Sequence, residues 1–254
     1  MSAVPDITVS VVSHGHAALL AGLLADLAAL PQVARCVITV NIPEEPAAIP
    51  PTLADRVVWR HNPTPLGYGA NHNRAFTACD TPYFCVINPD VRLSADPFPT
   101  LVAALTDPQA ALSAPAILDP EGRVEDSVRH FPRLTSLAAK ALKLADGRYD
   151  IVPGAPAFAA DWVGGMFMLF RRDAFAAVGG FDERFFLYYE DVDLCARLGR
   201  QGLRVLACPA ASVVHAARRD SHRNARYLRW HLASMLRYLA RRYAGRYAAP
   251  GRAR

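Results

Sequence analysis

The sequence predicts an α/β fold: one domain on a mixed, mostly parallel sheet with helices on both faces, followed by a basic amphipathic helix. Three observations carry this. Short apolar or β-branched runs alternate with helix-period runs along the first hundred residues, which is the pattern of βαβ units. Just over half of the 254 residues are apolar, enough to bury one large core. The net charge of +5 divides into +10 for residues 215–254, which hold eleven arginines and one acid, and −5 for the remainder. A basic tail on an acidic body points to an anionic partner, such as a membrane surface or a phosphate-bearing ligand.

The elements follow in order. "DITVSVVSH" alternates and is β-branched, so it is a strand. "AALLAGLLADLAAL" has helical period and length. "RCVITVNIP" and "DRVVWRHN" are two more strands, and "NPTPLGYGAN" is a Pro/Gly loop opening the helix "NHNRAFTAC". "TPYFCVINPDVRL" is a fourth strand, apolar until Asn88-Pro89-Asp90, and "PFPTLVAALTD" is a helix. In the second half, two short strands are expected around the Asp119-Pro120-Glu121-Gly122 turn, then a helix over "SLAAKALKLADG". "DWVGGMFMLFRR" is a strand, and "RDAFAAVGG" a short helix with Asp173 as N-cap and Gly179 as stop. "LRVLACPAASVVHA" is a last strand pair. In the terminal helix Leu228, Leu232, Met235, Leu236, Leu239 and Tyr243 share one stripe, with Arg226, Arg229, Arg237 and Arg241 largely off it. The stripe suits an anionic membrane surface. It equally suits packing on the body or pairing with a second copy in a homodimer.

Several classes are excluded or disfavoured. Five cysteines show no CxxC spacing, so a disulfide framework or zinc site is not expected and a reducing cytoplasm is the default. The N-terminus lacks the basic start of a signal peptide, and no run reaches membrane-span length. No GxGxxG or GxxxxGK[ST] follows a strand. No nucleic-acid-binding motif accompanies the arginines, so no nucleic acid partner is expected.

Ligands of open parallel sheets bind at the strand carboxyl ends. Here those ends read Ser13-His14-Gly15-His16, Asn41-Ile42-Pro43, His61-Asn62-Pro63 and Asn88-Pro89-Asp90. Asp90 can end a turn or ligate a hard cation. Glu190 and Asp191 follow an aromatic wall, "RFFLYY". Carboxylates favour a helix start, while apolar surroundings raise a carboxylate's pKa and suit it to accept a proton.

Taken in order, Asn88-x-Asp90, "WVGGMFMLFRR" at 162–172, "GGFDERFFLYYEDVDLCARL" at 179–198 and His215 resemble the inverting glycosyltransferases of family 2, and most of all their rhamnosyltransferase-like branch. The resemblance runs through nearly the whole chain and is most specific over 162–198. It implies a GT-A, Rossmann-like nucleotide-diphospho-sugar transferase domain over 1–215, with a nucleotide-sugar half (1–100) and an acceptor half (101–215), and a helical tail over 216–254. It implies Asp191 as catalytic base, with Glu190 positioning it or the acceptor. Asn88 and Asp90 match the donor-binding metal motif in Asn-x-Asp form, and His215 the later metal ligand, so the cofactor is a divalent cation, Mg²⁺ or Mn²⁺. Gly164 and Gly165 match the glycine pair beside the donor sugar, and Trp162 an acceptor-side wall. Ser13, Asn41, Gly67 and Asn73 sit where the family contacts the nucleoside. The chain departs from the pattern at Asn41, often an Asp, and in having one carboxylate in the metal motif. The implied partners are a nucleotide-sugar donor and a glycan or lipid-linked acceptor, met in the cytoplasm at the inner face of the membrane.

The chemistry is consistent with this. Sugar transfer with inversion needs a base for the acceptor hydroxyl and neutralisation of the departing diphosphate. Two other readings stand beside it. A nucleotidyltransferase should carry a Gly-rich loop with a basic residue after the first strand, which "VSHGHAALL" lacks. A non-catalytic, membrane-associated homologue has no need of Asp90, Asp191 and His215 together.

Overall fold

The computed structural model describes residues 5–136, 142, 144, 146–216 and 225–247. Its main sheet has nine strands: β1 (Ile7–Ser13), β2 (Val33–Val40), β3 (Val57–His61), β4 (Tyr83–Ile87), β5 (Val91–Arg92), β6 (Ala110–Leu118), β8 (Phe158–Ala160), β10 (Phe167–Arg171) and β11 (Arg204–His215). The order is β3-β2-β1-β4-β10-β6-β11-β5, with β8 also on β11. Strands β1 to β4, β6 and β11 run one way and β10, β5 and β8 the other, so the sheet is mixed and mostly parallel as the sequence predicts. β7 (Val128–Arg129) and β9 (Trp162–Val163) form a small second sheet.

Helices cover both faces. In α1 (Ala17–Ala28), Leu20, Leu23, Leu24 and Leu27 recur at helical spacing and are fully buried, each stabilising the fold by about 1.5–3 kcal/mol. With α2 (Pro51–Ala54) and α4 (Phe98–Ala104) they close one face. The other face is covered by α3 (Tyr68–Phe76), α5 (Arg172–Ala177) and α6 (Glu190–Arg200), around Phe84, Phe170, Phe175 and Phe181. The five cysteines are buried and unpaired.

Four local expectations are corrected. The strand expected over 161–172 breaks at Gly164-Gly165, because those two amides turn out of the ladder to meet Ser127 and Asp191. The last strand pair is one strand, β11, with a register shift between Cys208 and Ser212 where Pro209 offers no N–H. Asp173 lies inside α5 rather than at its cap: Arg171 precedes the helix, and Asp173 pairs with it at 3.0 Å. Before the Asp119–Gly122 turn stands the nine-residue β6, and after it a single bridge, Leu118 to Val124. The expected stop at Gly179 holds, with φ +76°. The helix expected over 136–147 lies largely outside the described residues.

The tail helix α7 (Ala225–Tyr243) packs on the body. Its inward side is not the predicted aliphatic stripe. Tyr227, Trp230, Ser234, Tyr238 and Arg241 face the body, together with Met235 and Leu239 from the stripe. Leu228, Leu232, Leu236 and Tyr243 are exposed. Polar anchoring explains the rotation. Asp193 of α6 is fully buried; it accepts from Arg197 at 2.7 Å, from Arg241 at 2.7 Å and from the Tyr247 hydroxyl. A buried carboxylate needs such partners, and Arg241 can supply its charge only by turning inward.

Candidate active site

The site lies at the carboxyl ends of β1, β2 and β4, where the loops before α3 and α6 meet. Each predicted residue has a definite place. Ser13 ends β1; it is buried, and its hydroxyl accepts from the His16 amide at 3.3 Å. Asn41, just past β2, has its amide fully engaged: Oδ1 accepts from Leu66 N–H (2.9 Å) and Asn62 (2.8 Å), and Nδ2 donates to Leu66 C=O (3.1 Å) and His14 Nδ1 (3.0 Å). Asn62 in turn donates to Asn71 at 2.6 Å. Asn41 therefore ties the end of β2 to His14 and to the loop before α3. Burial, then the neighbouring His16, lowers the His14 pKa.

Gly67 and Asn73 hold α3 against the 181–186 loop. A Cβ on Gly67 would lie 2.6 Å from the Phe186 carbonyl oxygen, so only glycine fits. Asn73 makes paired 2.8 Å bonds to the backbone of Phe181. The weak glycine pattern "GYGAN" is thus a close-approach device.

Asn88-Pro89-Asp90 forms a turn closed by Val91 N–H to Asn88 C=O at 3.2 Å. It also carries chemistry. β5 pairs with the end of β11, His215 opposite Val91, which sets His215 Nε2 3.3 Å from Asp90 Oδ1. Asp90 Oδ1 is buried and has no hydrogen-bond partner. The other ring nitrogen, Nδ1, is 2.8 Å from Glu125 Oε2. Burial works against the imidazolium, but the two carboxylates outweigh it and hold the His215 pKa above its ordinary value. Among the described residues no group of three or more His, Cys, Asp or Glu converges on one cation position. Asp90 and His215 are a two-ligand, oxygen-and-imidazole set that suits Mg²⁺ or Mn²⁺ completed by donor oxygens and water.

Glu190 and Asp191 start α6 behind a strained backbone: Tyr188 and Tyr189 both have positive φ, 68° and 66°. Each costs about 1–3 kcal/mol. This turn brings the Asp191 carboxylate back over its own helix start, where Oδ1 accepts from Val192 N–H at 2.8 Å and Oδ2 from Gly165 N–H at 3.1 Å. Burial pushes Asp191 up to about 6, with those amides pulling it down. Glu190 is buried deeper and Oε2 has no partner; burial, then the charge on Asp191, raises it well above the carboxylate range. Of the two, Glu190 is the more strongly raised and Asp191 the readier to ionise.

Tyr68, which sequence reasoning passed over, joins the two centres. Its hydroxyl donates to the Gly165 carbonyl and lies 3.3 Å from Asn88 Oδ1. A Cβ on Gly165 would meet that hydroxyl at 3.1 Å. One residue, Gly165, thus meets Asp191 through its N–H and Tyr68, which reaches Asn88, through its C=O. Trp162 stands partly exposed on β9, its indole donating to His130 C=O at 3.1 Å. Gly164 N–H is engaged by Ser127 C=O at 2.7 Å. Glu125 and Asn71 were also missed; they carry no motif, and only the fold brings them to the strand ends, whereas Asn62 stood in the strand end His61-Asn62-Pro63.

The model of a family described as glycosyltransferase like family 2 matches residues 5–236. The chain is 33% identical over 189 residues to the rhamnosyltransferase WbbL of Escherichia coli (strain K12), covering 69% of this chain and 71% of that one. It is 34% identical over 208 residues to the N-acetylglucosaminyl-diphospho-decaprenol L-rhamnosyltransferase of Mycobacterium tuberculosis, covering 73% and 67%. Among solved structures it is similar to GalNAc-T7 with UDP, GalNAc and Mn²⁺ (TM-score 0.64, 12% identity, 87% of this chain). It is also similar to the mannosyltransferase PcManGT of Pyrobaculum calidifontis with GDP-Man and Mn²⁺ (TM-score 0.59, 16% identity, 93% of this chain). It spans 45% and 65% of those two chains. With the family model covering most of its length and two relatives above 30% identity, the chain belongs to the glycosyltransferase-like family 2, on a GT-A fold.

Proposed function

We propose that the chain transfers a sugar, rhamnose by the names of its relatives, from a nucleoside-diphosphate donor to a hydroxyl of a glycan or lipid-linked acceptor with inversion. One observation carries the reading: Gly165 donates its N–H to Asp191 and accepts at its C=O from Tyr68, whose hydroxyl lies 3.3 Å from Asn88 Oδ1. The proposed base and the proposed diphosphate site thus meet at one residue. Asp191, ionised near neutral pH, takes the acceptor proton as the hydroxyl attacks the sugar carbon. The Gly165 and Val192 amides fix the carboxylate so that its remaining lone pairs face the acceptor. Glu190 lies behind it, where burial and the charge on Asp191 both disfavour its ionised form. Asp90 and His215 would hold the divalent cation, which supplies Lewis-acid neutralisation of the leaving diphosphate. Trp162 walls the acceptor side.

The test is nucleoside diphosphate release from a panel of nucleotide-sugars with Mn²⁺. Donor-dependent release that rises with acceptor supports the reading. Binding of donors without any transfer to polyprenyl-diphosphate or glycan acceptors overturns it in favour of a non-catalytic homologue.

A specific observation favours membrane docking. No helix among the described residues is long and apolar enough to cross a membrane, yet α7 leaves Leu228, Leu232, Leu236 and Tyr243 exposed at helical spacing beside exposed Arg226 and Arg229. Leu134, also exposed, adjoins through a 3.1 Å bond from its N–H to the Tyr243 hydroxyl. This surface fits an anionic lipid interface. Truncating the tail is a poor test, because α7 clamps Asp193. L232D/L236D on the outer face is a cleaner one. It should abolish sedimentation with anionic vesicles at low salt and leave melting unchanged; wild-type protein that fails to sediment refutes docking.

A further inference from the structure

We propose that Glu125 is the positioning residue that fixes His215 for cation binding, and that the Asp119–Arg123 turn exists to deliver it. This rests on Asp90 and His215 being the cation ligands. Glu125 carries no motif, and nothing in the family resemblance points to it.

The argument begins with the ring. A neutral imidazole has one N–H and one lone pair, and whichever nitrogen donates cannot ligate. Glu125 Oε2 sits 2.8 Å from Nδ1. A carboxylate accepts, so Nδ1 must carry the proton. The lone pair is then forced onto Nε2, the nitrogen that faces Asp90 Oδ1 at 3.3 Å. In the neutral ring these are two acceptors side by side, one of them a buried oxygen with no partner, and a cation can join them where a proton on Nε2 otherwise would. Glu125 meets the nitrogen opposite the one Asp90 faces. It therefore orients the ligand rather than joining the coordination shell, as carboxylates behind metal-bound histidines do.

The scaffold holds Glu125 firmly. Its N–H donates to Ile117 C=O at 2.8 Å, and Leu118 bridges to Val124. The connecting turn is tied at both ends. Asp119 N–H donates to Arg123 C=O (2.8 Å), Asp119 Oδ1 accepts from the Glu121 and Arg123 amides (3.0 and 2.8 Å), and Asp119 Oδ2 pairs with Arg123 Nε at 2.9 Å. Gly122, at φ +81°, makes the reversal. His215 is fixed from its own side, by β11 pairing with β6 and β5. Two neighbouring elements, β6 with its turn and the end of β11, thus present the carboxylate and the ring to each other.

The experiment uses full-length protein with E125A, E125Q and D90A. Long-range ¹H–¹⁵N NMR of the metal-free protein at pH 8.5 reads the His215 tautomer, and Mn²⁺ alone, followed by the EPR signal of the free ion, reads affinity. Wild type should show the Nδ1–H tautomer. E125A should lose that tautomer and bind Mn²⁺ about 10–100-fold more weakly. E125Q, whose amide oxygen still accepts from Nδ1–H, should keep the tautomer and bind within about fivefold of wild type. Melting curves confirm that each variant folds; E125Q carries the test if E125A does not. An E125A protein that keeps the tautomer and binds Mn²⁺ within twofold of wild type overturns the proposal. So does an E125Q that loses as much affinity as E125A, since charge rather than orientation would then be acting. If D90A binds Mn²⁺ as wild type does, it is the ligand assignment that fails, and the tautomer measurement separates that outcome from a failure of Glu125.

Discussion

Replacing Asp191 by Asn should remove activity and raise stability together. Asp191 is the proposed base, and loss of a general base costs about 10²–10⁴-fold in rate. The stability effect follows from its pKa. In the unfolded chain an aspartate titrates near 3.9, and in the folded protein burial moves Asp191 up to about 6. A raised carboxylate binds protons better folded than unfolded, so its contribution is favourable at low pH and is lost as pH rises from about 4 through about 6. Two units correspond to about 3 kcal/mol above that window, reduced because the residue is partly open to solvent. Asn avoids that cost but has one acceptor for two amides, Gly165 and Val192, which returns about 1 kcal/mol. The net is a gain of about 1 kcal/mol at pH 8, or about 2–4 °C in Tm, shrinking to a loss at pH 4. Thermal melts across pH, run beside a diphosphate-release assay, check both arms. A variant that keeps more than half the activity, or whose Tm is lower than wild type at every pH, refutes the assignment.

Further outcomes follow from the same contacts. The wild-type rate should fall on an acid limb near pH 6 as Asp191 gains a proton; a rate flat from pH 8 to pH 5 contradicts it as base. Tyr68→Phe should lower kcat about tenfold with donor affinity within twofold, because the Gly165 carbonyl loses its donor while the diphosphate site stays; equal kcat would remove Tyr68 from the mechanism. Arg241→Ala should cost about 3 kcal/mol, the low end for breaking a buried pair, since Arg197 still partners Asp193. A Tm within 2 °C of wild type would show the clamp to be dispensable. Asp90→Ala and His215→Ala should each weaken Mn²⁺-dependent donor binding in calorimetry, and unchanged affinity in both would return them to a turn and a structural histidine.

The nucleotide half was legible because parallel strands announce themselves. β1 alternates, β2 is rich in β-branched residues and β4 is a continuous apolar run, each with polar residues where it ends, and periodicity carries that information locally. The break at Gly164-Gly165 was not legible, since a glycine pair inside an apolar run looks the same whether its amides pair in a ladder or turn out to a carboxylate. Nor was the strain at Tyr188 and Tyr189, which no side-chain preference advertises. Asp191 was singled out on resemblance, but its hold on Gly165 spans 26 residues and belongs to the tertiary fold. Tyr68 and Glu125 were invisible for the same reason. Asn73 was placed with the nucleoside on resemblance; in the structure both ends of its amide bind the Phe181 backbone.

The tail shows how composition can point to two things at once. Eleven arginines read as one basic surface, yet α7 sorts those it contains. Arg241 turns inward to Asp193 and to Asp182, and lies over the Phe185 ring at 5.2 Å. Arg237 reaches the Arg184 carbonyl, and Arg242 the Tyr238 hydroxyl. Arg226 and Arg229 stay on the outer side with the exposed leucines. The inward set ends on α6, two residues after the base, and Trp230 and Ser234 of α7 hold Phe186 and the Leu187 carbonyl in the segment just before it. Left-handed Tyr188 and Tyr189 persist only if their neighbours hold them, and α7 contributes Tyr238 to that holding by packing on Tyr189. If α7 docks as proposed, the helix that presents its leucine face to lipid also braces, through Ser234, Tyr238 and Arg241, the turn that precedes Asp191.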